Sequence, residues 1–195
     1  MKKKLFIVTV TLLSTFFLQA QNPSSWNVDL EHSSVEFKIS HLFSTVTGRF
    51  NDFQGTFVFD PNNLKASNAN FTISVKSVDT HNGTRDTHLQ SEDFFNVVKY
   101  PTMSFVSSKI TKVSADTYEM SGKLSIRNIT KDVVLVFKVA GVMDSPWAKG
   151  VQIMGINAST TINRNDYGVG SGSWAATTMV GNDVKIEINL ELDNK

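Results

Sequence analysis

The chain has no cysteine among its 195 residues, which excludes disulfide staples, thiol nucleophiles and cysteine-ligated metal sites. Tyrosine and tryptophan are also scarce, at three each, against 14 phenylalanines. The aromatic side chains are therefore nearly all without a polar group, and a lining rich in phenylalanine suits a hydrocarbon ligand. The same rings would serve equally well to fill an ordinary core, and composition alone leaves both interpretations open.

No long apolar run follows the first twenty residues, since a membrane helix needs roughly 18 uncharged apolar residues. The first twenty combine a basic start at residues 2–4, a short apolar stretch at 5–18 and a small residue at Ala20, which is typical of a secretory signal. We expect cleavage after Ala20, a mature domain spanning 21–195 and a periplasmic or secreted location. The absence of cysteine at that point excludes a bacterial lipoprotein anchor.

Neither sign of charge dominates the remaining chain. The leader holds three of the 19 basic residues and none of the 18 acidic ones, so residues 21–195 carry 16 basic and 18 acidic residues, a net charge of −2. This balance argues against a nucleic-acid-binding surface and against a polybasic membrane patch. We expect no nucleic-acid partner and no membrane-spanning segment.

Motifs for catalysis or metal binding are absent as well. The chain has no G-x-S-x-G elbow and no HExxH pair, and the glycine-rich stretch 168–172 is interpreted as a flexible loop rather than a phosphate cradle. His81 and His88 bracket a turn with Asp86 between them, which leaves a metal site open, but the spacing matches no known motif and solvated or hydrogen-bonded histidines are favoured. Arg85, Asp86 and His88 form the densest polar cluster, which we interpret as a salt-bridged clasp that holds an insertion against the fold rather than as acid–base machinery. We expect no catalytic residue, no bound metal and no cofactor.

Alternation of apolar and polar residues with period two predicts an all-β domain. It is clearest in the last strand, where every second residue from Val184 to Leu192 is apolar, and further strands are expected at 102–113, 117–126, 132–142 and 151–162. The parity change between Phe50 and Phe53 predicts a bend near 51–52. Residues 133–139 are apolar on both parities, so another element or a partner chain is expected to cover their outer face.

The segment 78–101 breaks the alternation and predicts a helical insertion. Thr84 and Ser91 are expected to cap helical turns at 85–90 and 92–98, and Pro101 ends the segment. Eight or nine short strands with this insertion favour a closed antiparallel barrel or a sandwich. An outer-membrane barrel is disfavoured because no aromatic girdles flank the strands.

Four blocks of the sequence resemble the YceI-like family, in order and over nearly all of residues 21–195. The central block holds Ser77-Val-Asp-Thr80, Arg85-Asp-x-His-Leu89, Ser91, Asp93-Phe94, Lys99-Tyr-Pro101 and Phe105. The others are Trp26-x-Val-Asp29 to Phe37, then His41 with Gly48-x-Phe50 and Phe53-x-Gly55-x-Phe57, and Gly122-x-Leu124-x-Ile126 to Val133. Asn128 stands in the hairpin turn where the family usually has glycine, and asparagine is the residue that best tolerates the positive φ of such a turn.

The resemblance implies an extended eight-stranded antiparallel lipocalin-like barrel with a short helical insertion. It implies a pore for a polyisoprenoid, an isoprenoid quinone or another long amphiphilic lipid, and often a homodimer. Strand parity then places the apolar tail against these residues: Phe37, Phe53, Phe57, Phe71, Ile73, Met103, Phe105, Leu124, Ile126, Leu135, Phe137 and Ile153. Phe94 and Phe95 are expected to flank the entrance, with His41, Arg85, Asp86 and His88 near a polar head.

Two other functions remain compatible with these observations. An enzyme acting on an apolar, isoprenoid-like substrate would need a polar pair with shifted pKa values inside the pore. A structural or stress-protective protein would have side chains along the whole barrel axis. The sequence does not identify the ligand, because apolar walls would bind long hydrocarbon chains of different lengths about equally well.

Overall fold

The computed structural model describes residues 24–170, 172–176 and 178–195, and the expected leader at 1–20 lies outside them. Over the described residues the chain forms ten strand segments and one α-helix. They are β1 Ser24–His41, β2 Ser44–Phe50, β3 Phe53–Phe59, β4 Asn68–Ser74, β5 Val78–Asp79, α1 Gly83–Gln90, β6 Thr102–Lys112, β7 Thr117–Ile126, β8 Ile129–Asp144, β9 Gln152–Asn163 and β10 Val180–Asp193. Short 3₁₀ turns occur at Val75–Ser77, Arg164–Tyr167 and Gly172–Ala175.

The ten segments make eight barrel strands because two of the strands are bent. Segments β2 and β3 follow one another along β1 and are separated by residues 51–52, while β4 and β5 are separated by the turn Val75–Ser77. The two bends face each other, since the Asn51 amide donates to the Ser77 carbonyl at 3.2 Å and the Ser74 amide to the Asp52 carbonyl at 2.9 Å. The bend predicted near 51–52 is therefore confirmed, and it turns both Phe50 and Phe53 into the core.

The barrel closes where β1 pairs with β10. All pairings are antiparallel, in the order β10-β9-β8-β7-β6-β4-β3-β1-β2-β5, and the β1–β10 ladder joins the two ends. This confirms the expected closed eight-stranded antiparallel barrel. The outer face of the β8 wall is not covered by another element of the described chain, and Val134 and Val136 are 48% and 44% exposed.

The helical insertion differs in part from the prediction. A single helix forms, and Asn82 rather than Thr84 caps it by accepting a hydrogen bond from the Arg85 amide at 3.0 Å. Ser91 ends this helix instead of starting a second one. The expected helical turn at 92–98 is wrong because Asn96 adopts a left-handed conformation at φ 53°, which no α-helix can continue through.

Three phenylalanine rings lie flat against the barrel wall, each over a glycine of a neighbouring strand. A Cβ placed on any of these glycines would come within 2.4–2.5 Å of a ring carbon. The pairs are Phe37 over Gly48, Phe71 over Gly55, and Phe105 over Gly122. The missing side chain gives each ring a place on the wall instead of in the middle of the barrel.

We predict that Gly122→Ala destabilises the fold by about 1–3 kcal/mol, because the added methyl group overpacks the Phe105 ring and the Val106 carbonyl. Gly141→Ala is the matched control, since a Cβ at this strand position meets nothing within 4 Å. Urea unfolding of both variants measures the difference. Equal stability of the two variants would contradict the close contact between the Phe105 ring and Gly122.

Ion pairs cross the closing ladder on its outer face. The Glu187 carboxylate binds Lys38 of β1 at 2.5 Å and Lys185 of its own strand at 2.7 Å. Hydrogen bonds from Lys185 and Lys38 lower the pKa of Glu187 from its ordinary 4.5 to about 2. Because the folded state holds the lower pKa, these pairs stabilise the barrel above pH 4.5, and their contribution is lost as the pH falls toward 2.

We predict that Glu187→Gln removes part of the acid dependence of stability between pH 4.5 and about 2. Thermal unfolding midpoints across this window measure it. Asp132→Asn is the control, since it removes a carboxylate that is 83% exposed in its pair with Lys123. If both variants lose stability on acidification as steeply as the wild type, Glu187 does not contribute to the pH dependence.

Candidate functional site

A cavity of about 480 Å³ occupies the barrel at the end where the β1–β2 turn, α1 and the loop after β9 meet. We call it the upper lobe. Its wall includes a layer of four aliphatic side chains on adjacent strands, which the ladder registers place side by side: Ile162 of β9, Val184 of β10, Ile39 of β1 and Val46 of β2. Phe94 and Phe95 from the turns after α1 also line it.

A smaller cavity of about 110 Å³, the lower lobe, continues deeper into the barrel. The two lobes share the side chains Phe37, Phe50, Met103, Ile126 and Ile186, so they form one path with a waist. Apart from Glu36 and Thr160, the lower lobe is lined by apolar residues, and the Thr160 hydroxyl donates to the Val134 carbonyl at 2.9 Å. The path is therefore suited to a long, narrow apolar group.

An aromatic plug closes the lower end of this path. Phe57, Phe59, Tyr118 and Phe137 stack or meet edge to face with ring centroids 5.0–5.9 Å apart. The Trp26 indole lies beside them and donates to the Phe59 carbonyl at 3.3 Å. Phe57 and Phe137 also line the lower lobe, so the plug is its floor. A bound chain would end at these rings.

The structure brings together nearly all of the predicted apolar site residues. The following line one or both lobes: Phe37, Phe53, Phe57, Phe71, Ile73, Phe94, Phe95, Met103, Phe105, Leu124, Ile126, Leu135 and Phe137. Ile153 lies elsewhere, beside Trp147 and Val151 on a separate surface pocket, so its placement in the pore is corrected. The residues of β9 that face the barrel core are Met154, Ile156 and Ala158, on the opposite parity.

Three of the four predicted polar residues lie at the mouth of the upper lobe: His41, Arg85 and His88. Asp86 is the exception, because its carboxylate turns away and accepts from the amide and hydroxyl of buried Thr80, at 2.9 and 2.5 Å. Arg85 donates to the same residue, from Nε to the hydroxyl at 2.7 Å and from Nη2 to the carbonyl at 2.8 Å. Thr80 thus joins Arg85 and Asp86 through hydrogen bonds, whereas the salt bridge expected between these side chains is not among the ion pairs of the described residues.

His88 sits in an aromatic setting at the mouth. Its ring is 5.0 Å from the centroids of both Phe94 and Trp174, edge-on to each, and its Nε2 lies 3.2 Å from the Asp93 carboxylate. The ring therefore connects α1 to the loop that follows β9. Trp174 also lines the upper lobe.

A buried arginine organises that loop, and the sequence analysis missed it. Arg164 is 4% exposed, and burial lowers the pKa of its guanidinium. Its five N–H groups donate to five backbone carbonyls, those of Val169, Gly170, Trp174, Val180 and Gly181, at 2.7–3.3 Å. In the stretch interpreted as a flexible loop, the carbonyls of Val169 and Gly170 are thus held by Arg164, and Tyr167, Val169 and Trp174 form one wall of the upper lobe.

We predict that Arg164→Leu destabilises the protein by about 2 kcal/mol or more, because it leaves buried carbonyls without donors. Arg164→Lys should be intermediate, since an ammonium group has three donors in place of five. Urea unfolding and chymotrypsin cleavage at Tyr167 or Trp174 measure the effect. Arg49→Lys, at a half-exposed guanidinium, is the control. Unchanged stability and protease resistance in Arg164→Leu would show that the Arg164 hydrogen bonds do not hold these backbone segments together.

A separate polar cluster lies outside the cavity, where the β1–β10 ladder is interrupted between Asp29 and Ser34. The His32 imidazole Nδ1 is 2.9 Å from the Asp29 carboxylate and 3.9 Å from that of Glu191. Hydrogen bonding to Asp29 raises the pKa of His32. An ordinary surface ion pair accounts for this arrangement.

The fold and cavity define a lipocalin-like antiparallel barrel with an internal apolar site. The profile of the YceI-like domain matches residues 26–192, and the chain belongs to this family. It is 38% identical over 167 residues to a UPF0312 protein of Pseudomonas aeruginosa (strain LESB58), covering 84% of this chain and 86% of that protein.

Solved structures share the architecture. Burkholderia cenocepacia BcnA superposes with a TM-score of 0.76 at 28% identity, over 85% of this chain and 99% of that one. A polyisoprenoid binding domain from Saccharophagus degradans has a TM-score of 0.66 at 14% identity, over 88% and 99% of the two chains. At that identity the second similarity concerns the fold.

Within the part of the chain that is described, no helix is long and apolar enough to cross a membrane.

Proposed function

We propose that this protein is an exported binding protein that holds one polyisoprenoid, isoprenoid quinone or similar long amphiphilic lipid in its barrel. The observation that carries the proposal is the two-lobed apolar path, with its polar groups gathered mainly at the mouth. Each CH₂ group moved from water into such a site contributes about 0.8 kcal/mol. A chain of many identical apolar units therefore binds without any polar recognition along its length.

The polar groups at the mouth give the ligand its direction. His41, Arg85 and His88 lie at the open end, whereas the aromatic plug closes the other. A head group is best placed at the mouth, where it keeps its contact with water and with hydrogen-bond donors. The tail then points toward Phe57 and Phe137.

We assign no catalytic role to these residues. Arg164, the buried cation beside the cavity, has each of its donors on a backbone carbonyl, and Arg85 and Asp86 bind Thr80. The charged groups at this end therefore hold structure together. A binding function is favoured over an enzyme because it requires only the apolar path.

The test is native mass spectrometry, with organic extraction, of protein purified from a bacterial periplasm. We predict a stoichiometric adduct that extracts as an isoprenoid or a quinone, on a chain whose mass begins at residue 21. The same spectra give the oligomeric state and test the homodimer that we also propose. A clean apo mass, from protein that also fails to take up added isoprenoid alcohols, would contradict the binding function.

A variant that fills the cavity sharpens this test. We predict that Val184→Trp lowers isoprenoid occupancy by at least about tenfold, because the indole would occupy the aliphatic layer of the upper lobe. Val136→Trp, on the exposed outer wall, is the matched control and should bind as the wild type does. Thermal unfolding of both variants shows whether the barrel is intact. Full occupancy in a folded Val184→Trp would place the ligand elsewhere.

A further inference from the structure

The β1–β2 turn has side chains that are unusual for a tight hairpin. Its two turn residues are Leu42 and Phe43, and Leu42 adopts a left-handed conformation at φ 51°. Such turns favour asparagine, aspartate and glycine, and a leucine at positive φ is strained. In the β7–β8 turn of the same barrel, one of the two turn positions has a favoured residue type, Asn128, at φ 67°. The apolar residues at 42–43 are therefore not explained by the turn itself.

These side chains point away from the protein. Phe43 is 107% exposed, so its ring has essentially no contact with the rest of the chain, and Leu42 is 58% exposed. The Leu42 amide donates to the Met179 carbonyl at 2.9 Å, which brings a third exposed apolar residue alongside. We call Leu42, Phe43 and Met179 the apolar ridge.

The ridge stands directly beside the mouth of the upper lobe. His41 pairs with Val180 in the closing ladder, and both residues line the cavity. They are also the immediate chain neighbours of Leu42 and Met179. The outer apolar surface and the apolar interior are thus joined across a single pair of residues.

The sequence around the ridge has almost no charge. Residues 39–48 contain no ionisable side chain apart from His41, and residues 168–182 contain none. Serine, threonine and Asn182 supply most of the remaining polarity. Insertion of these two segments into an acyl layer would therefore desolvate no ion pair of their own, and the His88–Asp93 pair at the mouth belongs to the insertion beside them.

We propose that the apolar ridge docks this protein on a phospholipid bilayer, with the mouth of the barrel against the lipid. A convex tip with one fully exposed ring suits a surface that deforms around it, whereas a protein partner would need a matching pocket. The inference rests on the proposed lipid-binding function, because docking here would let a tail pass between bilayer and barrel without crossing water.

The experiment is flotation of the periplasmically purified protein with vesicles of phosphatidylethanolamine and phosphatidylglycerol. The test variant is Leu42→Gly with Phe43→Asn, which removes both apolar groups and places glycine at the turn position that has positive φ. The control is Trp147→Ser, which removes an 83% exposed ring from the β8–β9 connection at the opposite end of the barrel. We expect the double variant to lose at least about tenfold in vesicle partitioning and the control to match the wild type.

Uptake of an isoprenoid alcohol separates this proposal from the binding function. The double variant should take up the alcohol from detergent micelles as the wild type does, but more slowly from vesicles. If the wild type floats with vesicles and needs the ridge to do so, but binds no isoprenoid, then the proposed binding function is wrong and the docking proposal stands. Vesicle binding that survives in the double variant, disappears in Trp147→Ser, or is absent in every protein would overturn the docking. The docking proposal would also be overturned if no protein bound vesicles and the double variant alone failed to form a homodimer. The ridge would then be a contact between two copies of the protein.

Discussion

The contact between a phenylalanine ring and a bare glycine backbone is the constraint on which the barrel interior depends. An eight-stranded barrel is only just wide enough to be filled by its own side chains. Three rings that would otherwise reach the axis instead lie over Gly48, Gly55 and Gly122 on neighbouring strands. Space remains in the middle because these large residues are spread along the wall. The cavity is thus a product of close packing rather than of its absence.

The aromatic residues divide the barrel into two parts with different roles. At one end Phe59, Tyr118 and Phe137 pack ring against ring and provide a core that needs no ligand. Toward the mouth, Phe37, Phe94 and Phe95 face open space. The two sequence-based interpretations of the phenylalanines, core filling and ligand lining, therefore each apply to a different part of the same barrel.

The features that follow from local rules could be predicted from the sequence, and those that depend on distant groups could not. Strand parity placed Phe37, Phe71 and Phe105 correctly because their strands are apolar mainly on one face. It failed at Ile153, although Met154, Ile156, Ala158 and Ile162 form a distinct apolar face of β9, because Ile153 is the one large apolar residue on the opposite, polar face. Asp86 looked like a head-group ligand, but its partner is Thr80 in the preceding segment. Arg164 had no local signal because its acceptors are backbone carbonyls, although the lone Trp174 amid glycine and serine marked an anchored loop.

The hydrogen bonds from Arg164 to five main-chain carbonyls bear on how related proteins can differ in sequence. Its acceptors are main-chain oxygens, which every amino acid supplies, so these contacts do not depend on which side chains the acceptor residues carry. Gly168, Gly170 and Gly172 are exceptions, since each has a positive φ that other residues rarely adopt, and a methyl group at Gly170 would also meet the guanidinium. Over evolutionary time the other loop positions can change to suit a new cargo without rebuilding the barrel. A single buried cation of this kind would then allow different ligands to be held on a common scaffold.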